Sequence, residues 1–239
     1  MIINNTIAAR IIVALDVNDR ETALSLIREL PEAEVFKIGM RLFTAEGPDL
    51  LKEVLQLGKK VFLDLKFHDI PNQVAGAVTM AVRHEVTMLT LHASGGSEML
   101  KKAAEAAQEA AAATGKPQPL LLAVTVLTSL KDAQLDEIGM EADAAGQVLR
   151  LADLARAAGM NGVVCSPQEI ELIRSRHGHD FLVVTPGIRP AWAAANDQKR
   201  IMTPVQAVTL GANYLVIGRP IIASPSPQRA FQKILEELA

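Results

Sequence analysis

Eight short apolar runs recur along the chain with longer amphipathic stretches between them, and this repetition is the feature that most limits the possible folds. The runs are rich in Val, Ile and Leu and are mostly continuous, as parallel strands buried on both faces are. The intervening stretches have the composition of helices. The runs begin at Ile11, Val35, Val61, Met88, Leu120, Gly162, Phe181 and Tyr214.

Eight strand–helix repeats in 239 residues predict a parallel eight-stranded (β/α)8 TIM barrel. We expect one domain over residues 1–239, since barrels of this length commonly form a single domain. The alternative is an open doubly wound sheet. That fold usually places a glycine-rich dinucleotide motif after its first strand, where this chain has ALDVNDR.

Residues at the ends of two amphipathic stretches predict where the helices begin and end. The stretch after the fourth run is rich in strong helix formers and is expected to end at Gly115. Before the eighth run, Thr203 is a candidate N-cap, and Pro204 then takes the first helical position.

Composition narrows the classes of partner. The 24 basic and 27 acidic residues give a net charge of −3, and only 3% of residues are aromatic, which disfavours nucleic-acid binding and a basic membrane surface. A small anionic ligand stays possible, because a local basic site is compatible with a balanced total. The lone Cys165 allows no intramolecular disulfide, and no apolar segment is long enough to span a bilayer. We therefore expect a soluble, cytoplasmic protein.

Ionisable residues stand at or near the carboxyl ends of four of the runs. Because side chains alternate along a strand, Asp64 and Lys66 are expected to point the same way. Stabilising ion pairs or solvated strand ends are one interpretation of such residues. Catalysis is the favoured one, because buried ion pairs stabilise poorly and the carboxyl ends of barrel strands carry the active site. The residues are Asp16, Lys37, Asp64, Lys66 and Arg219, with Asp69 in the loop just after Lys66.

The alternating signs of these residues indicate a kind of chemistry. An ammonium that lies between carboxylates keeps its proton, because opposite charges favour the charged form. Lys66 is therefore predicted to be a proton donor or an electrostatic clamp, beside a substrate atom that gains negative charge. A metal or triad role for the neighbouring His68 is disfavoured, since no second histidine stands at ligand spacing, and we predict no metal site.

Two glycine–arginine motifs predict a phosphate site. TPGIRP follows the seventh run and IGRPI the eighth, where many barrels bind phosphate. Arg189, Gly218 and Arg219 are the expected contacts. The alternative is that both motifs are ordinary turns whose arginines are solvated. The long connection near residues 187–202 is expected to close over that phosphate, with Gln198 as a donor.

In sequence order, VALDV, FKIGM, DLKFHDIPN, VTVLTS, TPGIRP, DQKRI and IGRPI resemble the orotidine 5'-phosphate decarboxylases over essentially the whole chain. The resemblance implies a carboxy-lyase of de novo pyrimidine biosynthesis that needs no cofactor. It implies that Lys66 protonates C6 of the pyrimidine after carbon dioxide leaves, and that Asp64 lies beside the departing carboxylate. Lys37 and Asp69 would complete the charged network, with Asp69 reaching the active site of the second subunit in a homodimer.

The same resemblance implies the substrate contacts. Asp16 and Lys37 would contact the ribose hydroxyls, and Thr128 the pyrimidine. Gln73 stands where many members have a threonine that helps the partner subunit contact the ribose, so the details of that contact stay open. The implied phosphate contacts are Arg189, Gln198, Gly218 and Arg219.

Two other hypotheses stay open. Sister enzymes such as ketogulonate-phosphate decarboxylase and hexulose-phosphate synthase share the Asp-x-Lys-x-x-Asp pattern but bind magnesium, with a carboxylate on the second strand. This chain has Lys37 there, whose ammonium would repel the metal. The other hypothesis, a catalytically silent barrel that binds a phosphorylated ligand, gives no reason to keep Lys66 between two aspartates.

Overall fold

Eight parallel strands close into a barrel in the computed structural model, which describes residues 6–130, 132–141, 143–193 and 202–239. Neighbouring strands pair in chain order, and the eighth pairs with the first. Each apolar run forms one strand, so the (β/α)8 prediction is confirmed and the open sheet is wrong. The strands are β1 (Ile11–Ala14), β2 (Val35–Gly39), β3 (Lys60–Phe67), β4 (Met88–His92), β5 (Leu120–Val124), β6 (Gly162–Val164), β7 (Leu182–Thr185) and β8 (Tyr214–Ile217).

Helices connect successive strands and cover the outside of the barrel. Two 3₁₀ turns, Ala93–Gly95 and Pro167–Glu169, precede helices α6 and α9. Among the helices of the described residues, none combines the length and apolarity needed to cross a membrane. The α-helices are α1 (Ile7–Arg10), α2 (Arg20–Glu29), α3 (Met40–Glu46), α4 (Asp49–Gln56), α5 (Pro71–Arg83), α6 (Gly96–Thr114), α7 (Asp132–Asp136), α8 (Ala144–Ala157), α9 (Ile170–His177), α10 (Pro204–Thr209), α11 (Arg219–Ile222) and α12 (Pro227–Leu238).

The two predicted helix ends are confirmed. Helix α6 ends at Thr114, and Gly115 follows it with a left-handed φ of 67°. Helix α10 begins at Pro204 after a capping box. The Thr203 hydroxyl accepts a hydrogen bond from the Gln206 N–H at 3.3 Å, and the Gln206 side chain accepts one from the Thr203 N–H at 3.0 Å.

The interior of the barrel is apolar near the amino ends of its strands and polar near their carboxyl ends. Phe62 and Met88 pair across β3 and β4 within the apolar layer. Two residues further along these strands, the inward positions carry Asp64 and Thr90, since side chains alternate along a strand. The buried members of the apolar layer are Ala9, Ile12, Val35, Phe62, Met88, Leu122, Val184 and Tyr214.

A second apolar layer lies between the strands and the surrounding helices. Leu63 is buried in it, and Leu65 packs against it from a partly buried position. Both leucines therefore face the helices, as strand alternation predicts. Because the two layers bury opposite faces of the sheet, the polar residues that point inward at the carboxyl ends are the exceptions that need a functional account.

Strands β6 and β7 approach each other closely at Gly162. A Cβ at this position would lie 2.2 Å from the Leu182 carbonyl oxygen, which belongs to the backbone and cannot move aside. We expect Gly162→Ala to lower the free energy of unfolding by about 1–3 kcal/mol, measured by urea denaturation. Gly76→Ala is the matched control, because a Cβ there meets nothing within 4 Å and α5 gains a better helix former. An equal loss in both variants would contradict the packing account.

Candidate active site

Four charged side chains, from β2, β3 and the loop after β1, form a network of alternating sign. The Lys66 Nζ lies 2.8 Å from the Asp64 Oδ1. The Lys37 Nζ lies 3.6 Å from the Asp64 Oδ2 and 3.1 Å from the Asp16 Oδ1. Asp64 therefore lies between two ammonium groups, and Lys37 lies between two carboxylates. We call Asp16, Lys37, Asp64 and Lys66 the charge network; these are four of the predicted residues.

An irregular part of β3 positions Lys66. The strand pairs with β4 at Leu63 and again at Phe67, but its partners there, Leu89 and Leu91, are only two residues apart. The extra residues form a bulge, and Lys66 within it has a φ of 52°, a left-handed value that is unfavourable for a side chain of its size. The prediction that Asp64 and Lys66 lie together is right, but regular strand alternation does not account for it.

Two other predicted positions differ from expectation. Asp16 lies two residues beyond the last residue of β1 rather than at the strand end. Arg219 does not end β8 but begins the short helix α11, after Gly218. The backbone at Gly218 lies close to the network, because a Cβ there would come within 3.5 Å of the Asp16 Oδ2. That distance is an ordinary van der Waals contact, so the Gly218 backbone lies directly beside Asp16.

Burial and charge act in opposite directions on the Asp64 carboxyl. Burial alone would raise its pKa, because the charged form loses its hydration. The ammonium groups of Lys37 and Lys66, together with hydrogen bonds from Lys66 and Thr90, outweigh burial, so the pKa of Asp64 lies below its ordinary value of 3.8. Asp64 is therefore an anion at neutral pH, and it keeps the two lysines in fixed positions.

The charge network lines an open cavity of about 520 Å³ at the carboxyl ends of the strands. Arg219 contributes to the same wall, so this predicted phosphate contact and the charge network face one space. The cavity is large enough for a small-molecule ligand. Its remaining lining residues, which were not predicted from the sequence, are Leu15, Gly39, Met40, Arg41 and Leu42.

A smaller cavity of about 150 Å³ adjoins the first and collects the predicted phosphate contacts. Arg189, Gly218 and Arg219 all line it, and it shares Asp16 and Lys37 with the larger cavity. The motifs after β7 and β8 therefore converge as predicted. Arg189 is buried, and its backbone N–H donates to the Met202 carbonyl at 2.9 Å.

Several predicted residues lie away from both cavities. Asp69 is exposed, and its Oδ1 accepts a hydrogen bond from the Ile70 N–H at 2.6 Å. Gln73 is exposed in the first turn of α5, and Thr128 is exposed in a turn after β5. Gln198 lies outside the described residues. The roles of these four stay predictions.

Two residues that shape the site, Thr90 and Gly39, were not predicted from the sequence. Thr90 is fully buried on β4, and its hydroxyl lies 3.0 Å from the Asp64 Oδ1. Gly39 ends β2, where a Cβ would lie 3.0 Å from the Lys37 Nζ. A polar residue in the apolar run MLTLH was the available signal for Thr90. The signal for Gly39 was its position two residues after Lys37, on the same face of the strand.

A (β/α)8 barrel with charged side chains at the carboxyl ends of its strands is the arrangement that defines TIM-barrel enzymes. The sequence matches the family model described as "Orotidine 5'-phosphate decarboxylase / HUMPS family" over residues 9–234. The chain belongs to this family.

Individual relatives agree with the family match. The orotidine 5'-phosphate decarboxylase of Heliobacterium modesticaldum is 50% identical over 232 residues, which is 96% of each chain. That of Moorella thermoacetica is 52% identical over 231 residues, 96% of this chain and 92% of the relative. The crystal structure of the Lactobacillus acidophilus enzyme of the same name superposes with a TM-score of 0.85 at 40% identity, covering 95% of this chain and 98% of the other.

Asp64→Asn tests the electrostatic role of the shared carboxylate. The variant leaves two ammonium groups without their common anion, so we expect the free energy of unfolding at pH 7 to fall by about 2–4 kcal/mol. Because the pKa of Asp64 is lowered in the folded protein, its contribution is complete above the ordinary value of 3.8 and is lost as pH falls through the lower folded value. The stability difference between wild type and variant should therefore shrink below that pH in urea titrations.

Asp16→Asn is the matched control for this prediction. Asp16 also contacts Lys37, but its side chain is 55% exposed, whereas that of Asp64 is 13% exposed. Solvent screening limits the expected loss to under about 1 kcal/mol. An equal or larger loss for Asp16→Asn would contradict the central position of Asp64.

Proposed function

We propose that the protein converts orotidine 5'-phosphate to uridine 5'-phosphate and carbon dioxide, in de novo pyrimidine biosynthesis in the cytoplasm. The observation that carries the proposal is the charge network, in which the Lys66 ammonium lies 2.8 Å from Asp64 and opens onto the larger cavity. Membership of the family and relatives of this name at about 50% identity support the choice of substrate.

The proposed chemistry follows from the position of Lys66. When the bond between C6 and the carboxylate breaks, carbon dioxide leaves and the electron pair stays on C6, in the plane of the ring. The adjacent ammonium of Lys66 stabilises that charge and then donates a proton to C6. The neutral amine regains a proton from solvent. Asp64 lies beside the position of the departing carboxylate, and it fixes Lys66 before the reaction begins.

The remaining contacts hold the substrate by its ribose and phosphate. Asp16 and Lys37 bind the ribose hydroxyls at the junction of the two cavities. Arg189 and Arg219 bind the phosphate, with the Gly218 backbone close to it, since guanidinium groups grip phosphate with paired donors. Gln198 from the connection after β7 completes the phosphate site, and Thr128 contacts the pyrimidine. Binding energy from the phosphate then serves to position C6 beside Lys66.

The site favours the metal-free reaction over that of the magnesium-binding sister enzymes that share the Asp-x-Lys-x-x-Asp pattern. A divalent cation would need to lie between the carboxylates of Asp16 and Asp64, near the carboxyl ends of β1 and β3. The Lys37 ammonium already lies there, at 3.1 Å from Asp16 and 3.6 Å from Asp64. A fixed positive charge in this position repels a second cation, and it supplies the compensation that a metal would provide.

We further propose that the protein acts as a homodimer in which Asp69 enters the active site of the neighbouring subunit. Among the described residues, no ion pair joins Asp69 to a lysine of its own chain, and its side chain is exposed just after Lys66. Ile70, which precedes α5, and Met80, near the end of α5, are also exposed, at 64% and 44%, and offer apolar surface for a second copy. Gln73 would then lie at the subunit boundary.

The activity can be tested directly. Purified protein is incubated with orotidine 5'-phosphate and a metal chelator, and the loss of pyrimidine absorbance is followed. We expect turnover, and a loss of at least about 10³-fold in Lys66→Ala, because that change removes both the charge stabilisation and the proton donor. Lys60→Ala is the matched control, since Lys60 begins the same strand at the opposite end of the barrel and pairs with Glu34. Turnover that depends on added magnesium, or an active Lys66→Ala protein, would overturn the proposal.

The subunit arrangement can be tested by mixing two inactive variants. If Asp69 serves the neighbouring site, a mixed dimer of Lys66→Ala and Asp69→Ala chains contains one intact site, and random mixing should restore about a quarter of wild-type activity. Each variant alone should stay inactive. If Asp69 served its own subunit, both sites of the mixed dimer would be damaged, and no activity would return after co-refolding.

A further inference from the structure

The bulge in β3 leaves a main-chain group that the sheet does not bind. Leu63 and Phe67 pair with Leu89 and Leu91 of β4, so the backbone of Lys66 falls outside the regular ladder. Its N–H donates instead to the Thr90 Oγ1 at 2.9 Å. An N–H without an acceptor in the protein interior is costly, so this hydrogen bond satisfies the donor that the left-handed backbone at Lys66 takes out of the ladder.

The same hydroxyl also contacts the charge network. A carboxylate can only accept, so the Thr90 hydroxyl donates its proton to the Asp64 Oδ1, at 3.0 Å. That oxygen is the one that contacts the Lys66 Nζ at 2.8 Å. Thr90 thus connects the main chain of Lys66 to the carboxylate that pairs with the Lys66 side chain. Thr90 is fully buried, so water does not compete for the hydrogen bonds of its hydroxyl.

We infer that Thr90 is a positioning residue, whose hydroxyl fixes the Lys66 backbone and the Asp64 carboxylate relative to each other so that the ammonium points at the reacting carbon. The inference rests on the proposed function for the identity of that carbon. Its structural part, the coupling of Lys66 and Asp64 through one hydroxyl, is independent of the substrate.

Other buried threonines near the carboxyl ends of the strands lack this arrangement. The Thr125 hydroxyl donates to the Val164 carbonyl at 3.1 Å, and the Thr185 hydroxyl to the Pro186 carbonyl at 3.3 Å. Each of these bonds joins a threonine hydroxyl to a main-chain carbonyl, and neither involves a member of the charge network. Thr125, which follows β5 and is buried, therefore provides a matched control for the loss of a buried hydroxyl.

The pKa of Asp64 depends on the charged groups around it as well as on the hydrogen bond from Thr90. Lys37 approaches from β2 and Lys66 from β3, and both favour the carboxylate. His92 approaches it from β4. Burial is the main cause that lowers the pKa of the His92 imidazole, and the Asp64 carboxylate acts to raise that pKa. Thr90→Val leaves these groups in place and removes one hydrogen bond to the ionised form, so the pKa of Asp64 should rise.

The test compares Thr90→Val, Thr90→Ser and Thr125→Val as full-length proteins. We expect Thr90→Val to lower kcat for orotidine 5'-phosphate by about 10- to 100-fold with KM changed by less than about threefold, because a misplaced catalytic group costs rate rather than binding. The acid limb of its rate profile should move to higher pH. Thr90→Ser, which keeps the hydroxyl, should recover most of kcat, and Thr125→Val should keep wild-type kcat. If the valine variant does not fold, Thr90→Ala replaces it with the same expected loss of kcat.

Wild-type kcat in Thr90→Val, or an equal loss in Thr125→Val, would overturn the inference. If the wild-type protein itself does not turn over orotidine 5'-phosphate, the proposed function fails and Thr90 is judged by titration alone. The carboxyl carbon of Asp64 is then followed by NMR in ¹³C-labelled protein. A pKa of Asp64 that rises in Thr90→Val and not in Thr125→Val supports the coupling, and an unchanged pKa overturns it.

Discussion

Closing eight parallel strands into a barrel sends every second side chain of each strand into one narrow interior, and the site depends on how that interior is filled. Near the amino ends the inward positions hold apolar residues such as Phe62 and Met88. At the carboxyl ends the same face presents Lys37, Asp64 and Thr90. Water does not reach the apolar layer, so charges next to it are weakly screened. Each charged side chain is therefore stabilised by an oppositely charged group within the barrel.

The two carboxylate oxygens of Asp64 contact different partners. Oδ1 accepts from Lys66 and Thr90, and Oδ2 faces Lys37. One carboxylate therefore sets the position of both lysines, on different strands, before any substrate arrives. Such fixed charges need no reorganisation when negative charge develops on a ligand, which is the usual source of large electrostatic effects in enzymes. Gly39 contributes by leaving room for the Lys37 ammonium.

The sequence predicted those parts of the molecule that depend on local patterns. Continuous apolar runs marked all eight strands, and charges at their carboxyl ends marked the charge network, because both signals lie within a few residues. The bulge at Lys66 was not predictable, since it depends on the register between β3 and β4. Thr90 looked like an ordinary strand residue until its partners were known. The roles proposed for Asp69 and Gln73 involve a second subunit, and the role proposed for Thr128 involves a bound substrate. A single chain without ligand therefore does not test them.

A parallel β-bridge between Ile188 and Met202, together with the hydrogen bond from the Arg189 N–H to the Met202 carbonyl, joins the two ends of the long connection after β7. The bridge lies outside the eight strands, and it bears on how this barrel can be redesigned. Once the ends are held, doubling the number of residues between them adds only about 0.6 kcal/mol of closure entropy. A longer segment between these two residues is therefore expected to cost little stability, while the pairing of β7 with β8 stays as it is.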